Sequence, residues 1–437
     1  MTADTRSKID KLRALQAGMP TMASPTPRSN PHSKRTDFST LSHLKQVSIA
    51  RGTGSVLGFE NPFFRRIERL DGIRAMIGGA WIQNFASYDY LSLNNDPRIA
   101  AAVADAVKDF GVSATASRLV GGDRPLHGEL ETRLARFLGT EDAIVTVSGH
   151  ATNLAIIRTL MGPGDLVVAD AFAHNSVFEG IRASGAAHAT FAHNDLDQLS
   201  EKLDKTRDRY ERVLIVAEGL YSMDGDVPDL AGLIALKERH EAWLMLDEAH
   251  ALGVLGSEGR GSAEEAGIDV GKIDILMGTL SKALCSCGGY VAGCRDLVDA
   301  LRYAAPGFVY SVGLSVPNAA AANAALHILE QEPERVAALR ARSGQFRAAA
   351  QSAGLDTGGA RGFAVAPVII GDSLRAVWAS NALLDRGVNA LPIIAPAVPN
   401  KSARLRFFLN AHHPEEVVAK AVALTAEVVS EAAGQKF

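Results

Sequence analysis

The sequence predicts an α/β protein in which a mainly parallel sheet is wrapped by helices on both faces and a smaller α+β region follows. Three observations predict it. From about Asn84 onward, short apolar runs alternate with amphipathic helical stretches, the pattern of strands joined by crossover helices. The runs are apolar throughout instead of alternating in polarity, as strands covered on both faces require. Polar residues able to do chemistry gather where these runs end, and in open parallel sheets ligands bind at the carboxyl ends of strands.

Taken in order, strands are predicted in AIVTV ending at Val147, LVVAD ending at Asp170, ATFA ending at Ala192, VLIVAEG ending at Gly219, WLMLDEA ending at Ala249 and ILMGT ending at Thr279. Helices are predicted from Leu126 to Leu138, Leu196 to Leu203 and Leu230 to His240. After Pro317 an Ala/Arg/Glu-rich segment predicts one long helix to about Ala353, then a smaller set of strands and helices. The expected division is an N-terminal arm over 1–60, a large domain over 61–316 and a small domain over 317–437. The arm has mild helical periodicity at Ile9, Leu12 and Leu15, but residues 19–37 are rich in Pro, Ser, Thr and basic side chains, the composition of a solvated tail.

Composition narrows the partners. The 437 residues are 47% apolar and 22% charged with a formal net charge of -4, enough for a large core. That balance gives no basic face for nucleic acid or an anionic membrane surface, so small molecules are the expected partners. No uninterrupted apolar run reaches the roughly 18 residues of a membrane span; the alanine-rich stretch after Pro317 is broken by Asn318, Asn323 and His327. The N-terminus lacks the apolar centre of a secretory signal. Cys285, Cys287 and Cys294 show no metal-type spacing with histidines, which predicts reduced thiols, a cytoplasmic protein and no metal site.

The apolar run WLML feeds directly into Asp247-Glu248-Ala249-His250, and ILMGTL feeds into Ser281-Lys282. An acid and a lysine at neighbouring strand ends can converge on one ligand. The acid can keep a pyridine nitrogen protonated, making that ring an electron sink. The lysine, its pKa lowered by desolvation, can form a Schiff base with an aldehyde. Taken singly, each residue equally suits a helix cap or a solvated surface. VSGHATN (Val147 to Asn153) reads as strand, glycine turn and helix start, whose exposed amides attract a phosphate dianion without a lysine; alone it also suits a plain cap.

In combination, DEAHALGVLGSEGRG (Asp247 to Gly261), GTLSKA (Gly278 to Ala283) and GGYVAG (Gly288 to Gly293) resemble the α-oxoamine synthase family of pyridoxal-phosphate (PLP) enzymes. The resemblance runs from about Asn61 to Val428. It implies the fold type I, aminotransferase-like architecture and PLP as cofactor. It implies that Lys282 carries the cofactor and later takes the α-proton of the amino acid, that Asp247 pairs with the pyridine nitrogen and that His250 bonds the phenolic oxygen. Through DAFAHNS it makes His174 the residue stacked on the ring. It assigns the phosphate to Gly149, His150 and the Thr279 hydroxyl, and through EGLYSMDGD it makes Glu218 and Ser222 pocket residues, with Asp224-Gly225 a turn. In ARLRFFLNAHH it gives Arg406 the substrate carboxylate, a task that suits a planar guanidinium; Arg404, pointing oppositely on a strand, is the structural control. GVSATASRLVGGDRPLHGELE contains Ser117, Arg118 and His127, whose roles it leaves open between site and scaffold.

The implied reaction is decarboxylative condensation of a small amino acid (serine, alanine or glycine) with an acyl thioester, from coenzyme A or an acyl carrier protein, to an α-amino ketone. A homodimer with sites at the interface is implied too. Several positions depart from the family pattern. Tyr88 in NFASYDYL stands where many members have Asn; the tyrosine form resembles serine palmitoyltransferases and polyketide-linked synthases, which makes Tyr88 a substrate-binding residue and favours long acyl chains. Ser113 and Cys285 stand for glycine. Val312 in VYSVGLS stands where a threonine reaches the partner's phosphate, with Ser311 and Ser315 as replacements. Cys285 and Cys287 are read as small packing residues ahead of redox-sensitive ones. The rival readings are another PLP enzyme of small amino acids, such as an aldolase, racemase or lyase, and a non-catalytic partner subunit. Loss of the lysine would mark the latter, and Lys282 is present.

Overall fold

The computed structural model describes residues 60–435 together with Phe38, Leu41 and Leu44; the periodic stretch at Ile9, Leu12 and Leu15 lies outside them. The chain first forms a meander of β1 (Arg69–Asp71), β2 (Arg74–Ile77) and β3 (Ala80–Asn84). The main sheet follows with β4 (Asp142–Thr146), β5 (Leu166–Asp170), β6 (Ala187–Phe191), β7 (Val213–Glu218), β8 (Trp243–Asp247), β9 (Ile275–Thr279) and β10 (Gly289–Gly293). Its order is β4-β10-β9-β8-β7-β5-β6. Only β10 runs against its neighbours, so the sheet is mainly parallel, as the apolar runs predict.

The period of two sorts each strand between two cores. Leu166 and Val168 of β5, Val213, Ile215 and Ala217 of β7, and Leu244 and Leu246 of β8 join the larger apolar cluster. Their alternates Val167, Ala169, Leu214, Val216 and Met245 join a second cluster with Ile156, Ile157, Val177 and Ile181 from the helices Gly149–Leu160 and Asn175–Ser184. Each Val, Leu, Ile or Met among them contributes about 1.5–3 kcal/mol by leaving water, and both faces being covered explains why the runs lack polar alternation. Edge strand β6 is the exception: it alternates half-buried and exposed positions because one face meets solvent.

Past β10 the predicted single helix to about Ala353 is two, Val316–Gln331 and Glu334–Ser352, separated by Glu332 and Pro333. Proline cannot donate into the preceding turn but is pre-set to start a new one. A three-stranded antiparallel sheet then forms from β11 (Val365–Gly371), β13 (Leu391–Ile393) and β14 (Ala403–Phe408), ordered β11-β14-β13. The two-residue β12 (Val388–Asn389) pairs parallel with β3. Among the described residues no helix is long and apolar enough to cross a membrane.

Candidate active site

The same period of two sets the site. Glu218, Asp247 and Thr279 end β7, β8 and β9, and each continues the row of alternates that packs on the helix Gly149–Leu160. Glu248, one residue on, faces the other way and accepts from the Ser262 amide at 3.0 Å. Asp247 is buried; its Oδ2 accepts from Asn153 Nδ2 at 2.9 Å and its Oδ1 from the Ala249 amide at 3.0 Å. Asn153 also donates to Ser176 Oγ at 2.9 Å, so two helix starts fix the carboxylate.

Lys282 rides on the loop between β9 and β10, a short return that only an antiparallel neighbour permits. The loop is closed by the Leu280 amide donating to the Gly288 carbonyl (3.0 Å) and the Ser286 amide to the Leu280 carbonyl (2.9 Å). The amine sits 5.6 Å from the centre of the Tyr88 ring. Burial pushes it down to about 8, opposed by Asp247 and Glu218 and reinforced by Arg406. Glu218 lies beside Asp247 in register. Its own burial and the Asp247 charge push its carboxyl well above the usual range, against the pull of Lys282. One carboxylate and one neutral acid is how two adjacent buried carboxyls share a site.

His174 caps the helix Asn175–Ser184; its Nδ1 accepts from the Ser176 amide at 3.3 Å. Burial holds it below the ordinary histidine range; the charges of Lys282 and His150 add to that, against Asp247. The imidazole is therefore neutral, with its proton on Nε2. His150 lies edge-on to it at 6.2 Å. His250 is buried and pushed well below the ordinary range, first by burial and then by Lys282, Arg406 and His174. The Tyr90 hydroxyl lies 2.7 Å from its Nδ1.

At the head of the helix Gly149–Leu160, Ser148 accepts the Ala151 amide, and the remaining first-turn amides have no intrahelical acceptor. A Cβ on Gly149 would stand 2.9 Å from Thr279 Oγ1; only glycine leaves this cradle open. The Thr279 hydroxyl donates to the Gly288 carbonyl at 2.9 Å.

The two arginines of β14 stand two residues apart and so share one face of the strand, against the expectation that Arg404 points oppositely; both reach the loop 222–224, and they differ in their partners there. Arg404 is buried and paired with Asp224 Oδ1 at 2.6 Å, so Asp224 does more than turn the chain. Arg406 has no carboxylate partner among the described residues. It donates to the Ser222 carbonyl at 2.9 Å, stands 3.4 Å from the Tyr88 hydroxyl, and its Nε is buried without an acceptor. Tyr88 packs on Phe408 and His250, with ring centres 4.7 and 5.8 Å away. Arg118 pairs with Glu131 and Asp123, and buried His127 bonds the Leu314 carbonyl at 2.7 Å; both are scaffold. Asn153, Tyr90 and Ser176 were not singled out from the sequence, although a lone asparagine in the apolar stripe of Ile156 and Ile157 is a usable signal.

These groups fit PLP: a buried carboxylate for a ring nitrogen, an amine of lowered basicity, neutral imidazoles, and an open glycine-headed helix for a phosphate. Comparison with known proteins agrees. The family model for aminotransferase class I and II matches residues 82–424. An 8-amino-7-oxononanoate synthase from Symbiobacterium thermophilum is 37% identical over 90% of this chain and 97% of its own; one from Geobacter sulfurreducens is 40% identical over the same shares. The structure superposes on a Sphingomonas wittichii serine palmitoyltransferase with TM-score 0.86 at 29% identity, covering 91% of this chain and 100% of that one. It superposes on a serine palmitoyltransferase from S. paucimobilis with bound PLP with TM-score 0.87 at 28% identity over the same shares. The chain belongs to the aminotransferase class I and II family, and within it to the α-oxoamine synthases, PLP-dependent acyltransferases that condense an amino acid with an acyl thioester and release carbon dioxide.

Proposed function

We propose that this chain joins serine, alanine or glycine to an acyl thioester carried by coenzyme A or an acyl carrier protein, releasing thiol and carbon dioxide and yielding an α-amino ketone. The carrying observation is Arg406: a guanidinium without an acid partner, beside Lys282 and Tyr88, while Arg404 two residues away is fully engaged. A small α-carboxylate supplies what Arg406 lacks.

Asp247, Lys282, His250 and His174 would hold PLP, with the amides of Gly149 and His150 and the hydroxyl of Thr279 at its phosphate. Bound there, PLP supplies the sink for the electron pair left on the α-carbon when a proton or the carboxylate departs. Asp247, fixed by Asn153 and Ala249, would keep the ring nitrogen protonated. Its neighbour Glu218 stays neutral, so one negative charge faces the ring. His250, its Nδ1 held 2.7 Å from the Tyr90 hydroxyl, would bond the phenolic oxygen. His174 would stack on the ring and restrain it. The Lys282 amine, neutral near pH 8, is a base matched to the α-proton. Tyr88, part-exposed and 3.4 Å from Arg406, would contact the substrate, in keeping with a long acyl chain.

The reading keeps 61–316 as the cofactor-holding part and 317–437 as the smaller part that brings Arg406. It makes the protein a cytoplasmic homodimer, consistent with three free cysteines, with its sites near the subunit boundary. The experiment is mass spectrometry of products from mixed Ser, Ala and Gly with acyl-CoAs of graded length, alongside thiol release. Release independent of added amino acid would sink it. Asp247→Asn is expected to lose about 10²- to 10³-fold in turnover while retaining the cofactor's visible band; near-normal turnover rejects the assignment.

A further inference from the structure

Beside the site, the ring of His193 spans two carboxylates. Its Nδ1 lies 3.1 Å from Asp170 Oδ1 and its Nε2 lies 2.8 Å from Asp226 Oδ2. Phe172 stacks on one face of the ring at 4.4 Å and Tyr221 meets it edge-on at 4.4 Å. Asn194 follows in the left-handed region at φ 57 and donates its amide to Asp170 (3.0 Å) and its side chain to Asp226 (2.9 Å). None of these residues belongs to the site described above.

What they connect does belong to it. Asp170 ends β5 and leads in four residues to His174. Asp226 closes the loop after β7, where the Tyr221 amide donates to the Asp226 carbonyl (3.0 Å) and the Gly225 amide to the Tyr221 carbonyl (2.9 Å). Inside that loop stand Ser222, whose carbonyl holds Arg406, and Met223 and Asp224, which hold Arg404. Resting on the proposed function, we infer that His193 is a positioning residue: its single ring, bonded at both nitrogens, locks the His174 loop and the Arg406 anchor loop into one unit, so that ring stacking and carboxylate capture keep a fixed relation.

The electrostatics agree with the geometry. Burial disfavours the charged ring, but Asp170 and Asp226 outweigh it and push His193 up to about 10. Burial likewise pushes Asp170 up, but the bonds from His193, Asn194 and Phe172 hold it below the usual carboxylate range. A neutral imidazole has only one N–H and could not donate to both acids, so the charged form suits a clamp.

The test compares the parent with His193→Gln, the isosteric Asp226→Asn and the double variant. Two readouts need no turnover: amide hydrogen exchange of the apoprotein, and titration of the PLP-loaded protein with L-serine, L-alanine and glycine followed by visible absorbance. In each single variant, protection over 171–174 and over 219–226 is expected to fall together by about tenfold or more, and amino-acid affinity by a similar factor. The double variant is expected to be no worse than the worse single, since both break one link. Exchange that changes in only one loop or in neither, or affinity within twofold of the parent in Asp226→Asn, overturns the inference. A parent that binds amino acid yet fails to condense it rejects the reaction alone.

Discussion

Arg404 and Arg406 differ by two positions on β14 and reach the same loop, but an acid engages Arg404 and none among the described residues engages Arg406. Removing Arg406 with Arg406→Gln forfeits charge-assisted hydrogen bonds of about 1.5–3 kcal/mol, so the amino-acid KM is expected to rise about 10- to 10²-fold with little loss of thermal stability. Arg404→Gln strands Asp224 in a largely buried site, where breaking an ion pair costs about 3–5 kcal/mol, and is expected to lower the melting temperature first. Steady-state kinetics beside thermal melts separate the two; equal KM values would refute the assignment. Lys282 offers a pH test. Its amine is pushed from 10.5 down to about 8, chiefly by burial, and only the neutral form attacks an aldehyde. The rate at which apoprotein captures PLP should therefore rise about tenfold per pH unit below about 8 and level off above it. A rate still climbing through pH 10 would show an ordinary solvated lysine. The sequence points to Lys282 and Asp247 because both interrupt apolar runs. It does not point to the free or engaged state of each arginine, which depends on Asp224, 180 residues away.

At the scale of elements, strand positions are legible because burial on both faces leaves a simple apolar signature, while the predicted ends at Gly219 and Ala249 overshoot β7 and β8 by one and two residues, because neither of those small residues marks where pairing stops. β10 is legible as a motif and not as a strand, since the three glycines of GGYVAG mask its pattern. The structure explains one glycine opposite it: Gly278 pairs with Tyr290, and a Cβ there would stand 2.3 Å from the buried Tyr290 ring. Gly278→Ala is therefore expected to destabilise the fold by about 1–3 kcal/mol through overpacking, four residues before Lys282. Chemical denaturation would read it, and an unchanged midpoint would mean the strand pair can slide apart at no cost. Cys285 stands at φ 46, where glycine is the easier residue, which is the backbone reason the family pattern prefers glycine there.

For the whole molecule, the described surface exposes several large apolar side chains on neighbouring segments. Val120 is 78% exposed, Tyr310 87% and Val312 49%, with Leu119 and Tyr303 also exposed. Their segments are neighbours: the Gly313 amide donates to the Ala116 carbonyl at 3.0 Å, and the Arg118 guanidinium lies 5.3 Å from the Phe308 ring centre. The patch reaches the site, because Leu314 abuts Gly288, whose carbonyl takes the Thr279 hydroxyl. Exposed apolar area of this kind marks an interface, and a two-fold pairing would set the phosphate end of each site at the boundary. The protein is expected to sediment at twice its chain mass. Val120→Asp combined with Tyr310→Asp should shift it to the chain mass and weaken PLP retention with it, because charges on a desolvated contact cost far more than they do in water. A parent that sediments as a single chain, or a doubly substituted one that still pairs and holds PLP as tightly, would place the contact elsewhere.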